Sequence, residues 1–513
     1  MLNFQGEKKR STDQRSQWFQ MNRSVFVSSV LIIMAMLFLN YYYSGYLKEK
    51  IGSIQSAITG NFGWMYILSM SFFLIVCVCL MLSRVGRLRL GSDDDRPEFS
   101  TLSWLSMLFS AGMGIGILFY SVAEPIYHLS DTTPRMLPGS SDAGRNSMGL
   151  TIFHWGLHPW ACYGLVGLIL GYFSYRKGLP LSLRSALFPF IGKKVFGPVG
   201  HAVDTLTIVS TLFGVATSLG LGAMQVSSGF EHVFGWTDQT WVQIAIIGSI
   251  TALATLSVIS GLNKGIRILS QANLILALFL LLAVFLSGPT LHLLNSMVQN
   301  VGSYIDILQS NSFYTGVGNP EHQSWLGGWT IFYWAWWIAW SPFVGIFIAR
   351  ISKGRTIREF LAAVLLVPLA MTLIWMTVFG DSAIYFEQLG NGGIAAAVQN
   401  DISTAIYHLL ELLPFSTFTS LVAVLSIILF FVTSSDSASL VIDTIASGGV
   451  ENPPVWQKVF WASLEGLVAS FLLMYGGLKA LQTGAITSAL PFSLILILAS
   501  AGLFIQLRRD LSV

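Results

Sequence analysis

Charge is what this sequence lacks. Only 10% of its 513 residues are Asp, Glu, Lys or Arg, against roughly 25% in soluble domains, and 53% are hydrophobic. That excludes an ordinary soluble fold and indicates an all-α polytopic membrane protein. Cysteine is scarce as well. Cys77, Cys79 and Cys162 all lie inside apolar segments, so neither a disulfide framework nor a metal cluster can be read from them. The net charge of +3 gives no argument for nucleic acid, and none is expected as a partner. A catalytic nucleophile with its base is missing, since neither Ser434 nor Ser437 has a paired His on its own segment, which argues against an intramembrane enzyme. Rings of charge and a repeated filter loop are absent too, which argues against a channel.

Long apolar runs are what the sequence has. Twelve spans of about 20 residues or more fall near 24–44, 62–83, 101–123, 148–175, 203–230, 239–262, 266–288, 325–350, 357–379, 416–447, 455–476 and 483–507. The polar residues 1–23 lead into a run too long for a signal-peptide core and read as a cytoplasmic tail. With that end inside, five of the 28 Lys and Arg residues, namely Lys48, Lys50, Arg135, Arg145 and Lys479, fall outside, so 28 − 5 = 23 are inside. The positive-inside rule then places both termini in the cytoplasm, with residues 508–513 as a short tail. Leu294, Met297, Val298, Val301, Tyr304, Ile305 and Leu308 recur at helical spacing beside polar residues. They predict an amphipathic helix on the outer face within a connector at 289–324. The polar run Gly91–Glu98 closes a first unit, 24–100.

The segment Trp329–Arg350 carries five tryptophans and one tyrosine. Trp and Tyr usually form belts at the two membrane interfaces, a role that fits Trp325 and Trp329. Trp336, Trp337 and Trp340 instead fall about 15–20 Å from either end of the span, at 1.5 Å rise per residue. Indoles at that depth serve either helix packing or a ligand. A second aromatic group, Trp155, Trp160 and Tyr163, lies in the fourth span beside Pro159. His154 and His158 share the i, i+4 spacing of metal ligands, but no third ligand of suitable spacing follows; one of them as a proton carrier is the alternative.

Two further stretches interrupt apolar helices. Gly112, Gly114 and Gly116 open the third span. They read either as close helix packing or as an unwound turn whose carbonyls bind a cation or substrate. Ser341-Pro342 with Gly345 occupies the corresponding place in the eighth span, if 101–288 and 325–507 are two five-helix units. In the tenth span Thr433, Ser434, Ser435, Asp436, Ser437 and Ser439 cluster, hydroxyls that bond back to the helix or offer oxygen ligands to a hard cation. Glu124, Asp204, Asp443 and Glu465 rank as structural. A mid-membrane aromatic box suits a trimethylammonium group, which has no N–H to donate yet is attracted to ring faces.

Taken in order, AGMGIG (111–116), FHWGLHPW (153–160), FYWAWW (332–337), ARISKGR (349–355) and FVTSSDS (431–437) resemble the betaine/choline/carnitine transporter family from about Pro97 to Leu507. The resemblance implies a LeuT-like fold of 12 transmembrane helices, with spans three to twelve as two inverted five-helix repeats. It also implies a homotrimer in a bacterial cytoplasmic membrane, taking up a betaine by sodium symport without any other cofactor. By the same resemblance Trp155, Trp160, Tyr163 and Trp337 form the box, with Trp336 and Trp340 on the pathway. One sodium site is implied at Ser110, Met113, Phe430, Thr433 and Ser434, and a second near Thr211 and Phe343. Choline-preferring members carry Asp where this chain has Gly116, which favours a zwitterion, and sodium-independent carnitine exchangers lack the glycine pattern. Proton coupling or exchange is the alternative within transport. Strong osmotic activation through a C-terminal helix is not expected, because Val513 follows Arg508-Arg509 closely.

Overall fold

Inside a bilayer every backbone N–H and C=O must find its partner within the protein, and helices achieve that segment by segment. The computed structural model describes residues 21–511 except 113, 132, 135, 139, 141, 238, 261–262, 391–392 and 450–453. Side chains are also not described at 44, 47–48, 109–112, 258, 260, 263–267 and 511. Among the described residues the architecture is helical, and the only β pairing consists of two isolated bridges.

The main helices are α1 (Arg23–Tyr42), α2 (Ser44–Leu82), α3 (Thr101–Gly112), α4 (Ile115–Ser130), α5 (Ala143–Trp155), α6 (Leu157–Gly171), α7 (Pro198–Phe234), α8 (Thr240–Ser260), α9 (Asn263–Ser287), α10 (Thr290–Asn311), α11 (Thr330–Ile351), α12 (Ile357–Met376), α13 (Ser416–Ala446) and α14 (Val455–Leu511). Shorter helices connect them. Nine described helices are long and apolar enough to cross a membrane, rather than the twelve expected. The difference has three sources. The third expected span is two helices, α3 and α4, separated where Gly114 adopts extended backbone. The fourth is likewise two, α5 and α6, parted at Gly156. The eleventh and twelfth run together as α14, bent at Gly477 with φ +59° and ψ −151°, a conformation that a Cβ would forbid.

The most apolar window of α7 is 94% buried, whereas those of α1, α8 and α9 are 22% buried. Helix α7 is therefore the axis of the bundle, and α1, α8 and α9 present Leu31, Phe38, Leu253, Leu256, Ile275 and Leu282 outward. In water that apolar surface would be costly; against lipid it is matched.

Helix α10 is amphipathic, but its two faces are used in an unexpected way. The face carrying Leu294, Val298, Val301 and Ile305 is exposed, while Ser296, Asn300, Ser303 and Asn311 are buried against the bundle. Asn300 Nδ2 donates to Asp381 (2.7 Å) and Thr377 (2.9 Å). The docked face is mixed, for Leu293, Tyr304 and Ile307 are buried with these polar residues, and Asn295, Gln299 and Asp306 are exposed beside the apolar ones.

At the Arg350 end of α11 the loop after α2 is clasped to the start of α12. Leu90 N donates to Arg355 O, Gly354 N to Leu90 O and Ile357 N to Leu88 O, at 2.8–2.9 Å. Gly354 sits at φ +81°, and a Cβ there would lie 2.4 Å from Arg96 O. Thr356 and Glu359 close a capping box over α12. The polar run 91–98 is thus docked: Arg176 bonds Gly91 O and the Asp93 carboxylate (2.7 Å), and this guanidinium holds Asp93 below the usual aspartate range. Arg355 lies 4.4 Å from the Trp104 ring and donates to Phe99 O, while Trp104 Nε1 donates to Ser352. These contacts tie α3 to the α11–α12 turn.

Candidate functional site

The break between α5 and α6 creates the site's first wall. Gly156 interrupts the ladder and leaves the carbonyls of His154 and Trp155 without their usual helical donors. Trp337 Nε1 caps the first (3.0 Å) and the Thr372 hydroxyl the second (3.2 Å). On the other side of the break the Tyr304 hydroxyl of α10 accepts from Leu157 N (2.9 Å). A Cβ on Gly156 would meet Ile152 O and the Tyr304 hydroxyl, both at 2.7 Å. Gly156→Ala is therefore expected to lower stability by about 1–3 kcal/mol, the range for overpacking a tight site. A drop in the melting temperature of the detergent-solubilised protein checks this, and an unchanged transition would show that the break does not need glycine.

Helix α11 supplies the second wall. Its Trp336 and Trp337 rings stack at 4.8 Å and 13°, and Trp337 meets Trp155 edge-on at 4.8 Å and 71°. Trp336 Nε1 and Trp340 Nε1 both donate to Gly214 O on α7, at 3.2 and 2.9 Å. Gly214 permits that approach, for a Cβ there would lie 2.9 Å from Ala339. Trp160 and Tyr163 stand edge-on at 5.4 Å and 85°. Gly116 closes the group from α4, and a Cβ on it would press on Trp336 (2.7 Å) and Trp155 (2.8 Å).

These residues enclose a cavity of about 60 Å³ lined by Gly114, Gly116, Trp155, Pro159, Trp160, Tyr163, Ser218, Trp336, Trp337, Trp340, Val344 and Thr372, among others. That is room for about two waters at a share of about 30 Å³ each. None of its lining side chains is charged. The indole N–H groups of Trp155, Trp336, Trp337 and Trp340 are all bonded to protein acceptors. What the cavity offers is ring faces and edges, with the hydroxyl-bearing side chains of Tyr163, Ser218 and Thr372 in its lining.

Toward the Trp329 end, Tyr120, Trp329 and Tyr333 form an aromatic layer over the cavity, with centroids 5.3–6.3 Å apart. Trp325 and Trp329, expected in an interfacial belt, belong to this layer and its surroundings. Trp325 is buried and both rings pack on His128, at 5.2 and 4.7 Å.

Toward the Arg350 end a second cavity of about 150 Å³ shares Trp340 and Val344 with the first. Its walls include Asn273, Phe343, Phe347, Phe430, Thr433, Ser434 and Ser437. The Thr433 hydroxyl donates to Leu429 O (2.9 Å) or Phe430 O (3.2 Å), so its lone pairs remain available. Phe343, expected beside Thr211, lines this cavity with Phe430, Thr433 and Ser434. Thr211 is not on it; its hydroxyl donates back to Thr207 O (2.8 Å) within α7. Of the glycine motif, Met113 lies outside the described residues, as do the side chain of Ser110 and the surroundings of Gly112.

The interruption expected at Ser341-Pro342-Gly345 does not open the helix. Helix α11 is continuous through Pro342, and Ser341 Oγ donates to Ile338 O (2.7 Å). Gly345 serves close packing instead, with Val166 and the Gly167 backbone where its Cβ would be.

Sequence reasoning passed over Glu124. It is fully buried beneath the cavity, bonded to His128, His154, Trp155 and Tyr333. The third ligand that His154 lacked in sequence is therefore present in space, from Glu124 and His128, whose donor atoms and that of His154 lie within 4.8 Å of one another. His158 is elsewhere, stacked on Trp334 at 5.0 Å.

Residues 24–512 match the profile of the betaine/carnitine/choline family transporters. An uncharacterized transporter of Mycobacterium tuberculosis is 50% identical over 483 residues, 93% of this chain and 81% of that protein. A glycine betaine transporter of Acinetobacter baylyi is 45% identical over 496 residues, 96% and 74% of the two chains. The glycine betaine transporter OpuD of Bacillus subtilis is 44% identical over 464 residues, 90% of each. With a helical bundle of membrane-spanning length around an uncharged aromatic cavity, and relatives that are transporters rather than enzymes, the chain belongs to the betaine/carnitine/choline family of transporters.

Proposed function

We propose that this protein takes up a quaternary ammonium zwitterion, glycine betaine or a related betaine, by sodium symport with alternating access. The observation that carries the reading is the cavity without a charged side chain, lined by five indoles, four of which have their N–H tied to protein acceptors. Such a cavity offers a primary amine no carboxylate and few acceptors, and suits a trimethylammonium group, attracted by about 0.5–2 kcal/mol per ring. The names of the Acinetobacter and Bacillus relatives agree with it. Sodium is assigned to the adjoining cavity, where the hydroxyls of Thr433 and Ser434 and the carbonyl of Phe430 supply oxygens; the family resemblance adds Ser110 and Met113, and a second site at Thr211 would not include Phe343, which lines this same adjoining cavity.

The fold we assign is LeuT-like, with twelve crossings obtained by counting α3–α4 and α5–α6 as one each and α14 as two. Residues 101–288 and 325–507 form the inverted repeats, 24–100 a preceding pair and 289–324 the outer connector. Both termini face the cytoplasm of a bacterial cell, and three copies form a homotrimer. The Tyr120–Trp329–Tyr333 layer is then the outer closure, the second cavity leads inward, and the Arg355–Trp104 contact is part of the inner closure.

Uptake of radiolabelled glycine betaine into proteoliposomes tests the reading. Accumulation driven by an inward sodium gradient alone is the expected result. Accumulation driven only by a proton gradient, or counterflow without ion dependence, would replace sodium symport with proton coupling or exchange. Gly116→Asp gives a substrate test. Its carboxylate would enter between Trp336 and Trp155, lowering betaine affinity by about tenfold or more through repulsion of the substrate carboxylate, while a cation such as choline gains relative preference. Equal changes for both substrates would remove Gly116 from the specificity argument.

A further inference from the structure

The carboxylate of Glu124 receives four donors. Oε1 faces His128 Nε2 at 3.3 Å and His154 Nδ1 at 2.6 Å. Oε2 accepts from Trp155 Nε1 at 2.9 Å and from the Tyr333 hydroxyl at 2.5 Å. An ionised carboxylate accepts about four hydrogen bonds, whereas a protonated one must place its own O–H against one of these donors. The surroundings accommodate neutral imidazoles. His154 donates through Nδ1, and its Nε2 meets the Thr330 hydroxyl at 2.9 Å, which can donate to it. His128 donates through Nε2, and its Nδ1 has no partner, as suits a bare lone pair among the Trp325 and Trp329 rings. With both imidazoles neutral, an arrangement these contacts accommodate, the cluster carries a single buried negative charge.

That charge sits at one edge of an indole whose other side lines the uncharged cavity. We propose that Glu124 is the positioning residue that makes the cavity selective for a cationic headgroup, acting through Trp155. A charge-assisted hydrogen bond to Nε1–H draws the proton outward and leaves more electron density on the ring, so the face turned to the cavity becomes more negative. In a site of low dielectric the carboxylate also attracts a cation across the ring without touching it. Direct contact would add an acceptor that a primary amine could use; placing the charge behind an indole gives attraction without that opening. The Tyr333 hydroxyl shares Oε2 with Trp155 and thereby limits how much of the carboxylate reaches the indole.

This inference rests on the reading that the cavity holds a trimethylammonium group. Its test compares glycine betaine with 3,3-dimethylbutanoate, the same molecule with carbon in place of the quaternary nitrogen. Dissociation constants of both are measured by intrinsic tryptophan fluorescence on the purified full-length protein in sodium buffer. In Glu124→Gln, which keeps the shape, the preference for betaine over the isostere is expected to fall about tenfold. An equal loss for both ligands would show a scaffold role only and overturn the proposal. Tyr333→Phe decides the matter if the first variant does not fold. It keeps the charge and the ring, so the preference is expected to hold or rise by about twofold, and a tenfold fall there would overturn the proposal. A wild-type protein that binds neither ligand would instead remove the substrate reading on which the inference stands.

Discussion

Trp337→Leu is expected to raise the Kd for glycine betaine by up to about 30-fold, because one desolvated ring contributes up to about 2 kcal/mol to holding a trimethylammonium group. Trp337 is the ring at the centre of the group, stacked on Trp336 and edge-on to Trp155, both at 4.8 Å. Leucine fills part of its volume but has no π face. The substitution also takes Nε1 from His154 O, a carbonyl at the helix break, and an unmet buried acceptor costs about 1–3 kcal/mol of stability. Trp337→Phe separates the two effects. It loses the same N–H but keeps a face, so its Kd is expected within about tenfold of wild type while its melting temperature falls as far as that of the leucine variant. Calorimetric titration in detergent reads both. Wild-type affinity in the leucine variant would sink the cation–π argument.

The aromatic residues were legible because mid-depth indoles contradict the usual place of Trp in membranes. The structure gathers Trp155, Trp160, Tyr163, Trp336, Trp337 and Trp340 on one cavity. Their anchoring was not legible. Gly214 O, which orients two indoles, is a backbone atom more than a hundred residues away, and no side-chain pattern announces it. Glu124 looked like a lone carboxylate because its partners come from 4 to 209 residues away. Two of them, His154 and Trp155, adjoin the break at Gly156, three residues before Pro159, the residue the sequence reading singled out. In the eighth span the same kind of signal misled. Pro342 removes one donor, but helix α11 absorbs the loss without breaking, and Gly345 is needed for contact with Gly167 rather than for unwinding.

The amphipathic helix α10 shows how pattern and packing differ. Its apolar stripe predicted the helix correctly, but packing splits that stripe: Tyr304 is buried with Leu293, Asn300, Ser303 and Ile307, while Leu294, Val298, Val301 and Ile305 are exposed beside Asn295, Gln299 and Asp306. Tyr304 reaches the Gly156 break from the docked side. The helix that connects the two halves in sequence thus also stabilises the break that shapes the cavity.

The hydroxyls of Thr433 and Ser434 carry the second large expectation. Replacing them together, as Thr433→Val with Ser434→Ala, is expected to raise the sodium concentration for half-maximal uptake by about tenfold or more. A hard cation bound by oxygen loses two ligands that water in a cavity of about 150 Å³ replaces only in part, and a lost buried polar partner is worth about 1–3 kcal/mol. The fold should tolerate the change. Thr433 Oγ1 donates only to carbonyls of its own helix, Leu429 and Phe430, which already have helical partners, and valine keeps the shape. Betaine binding at saturating sodium should stay within about threefold of wild type, because neither residue lines the aromatic cavity. Initial uptake rates across a sodium series, with binding measured in parallel, separate the two quantities. An unchanged sodium dependence would move the coupling ion away from α13, and a parallel loss of betaine affinity at saturating sodium would mean that the second cavity belongs to the substrate rather than to the ion.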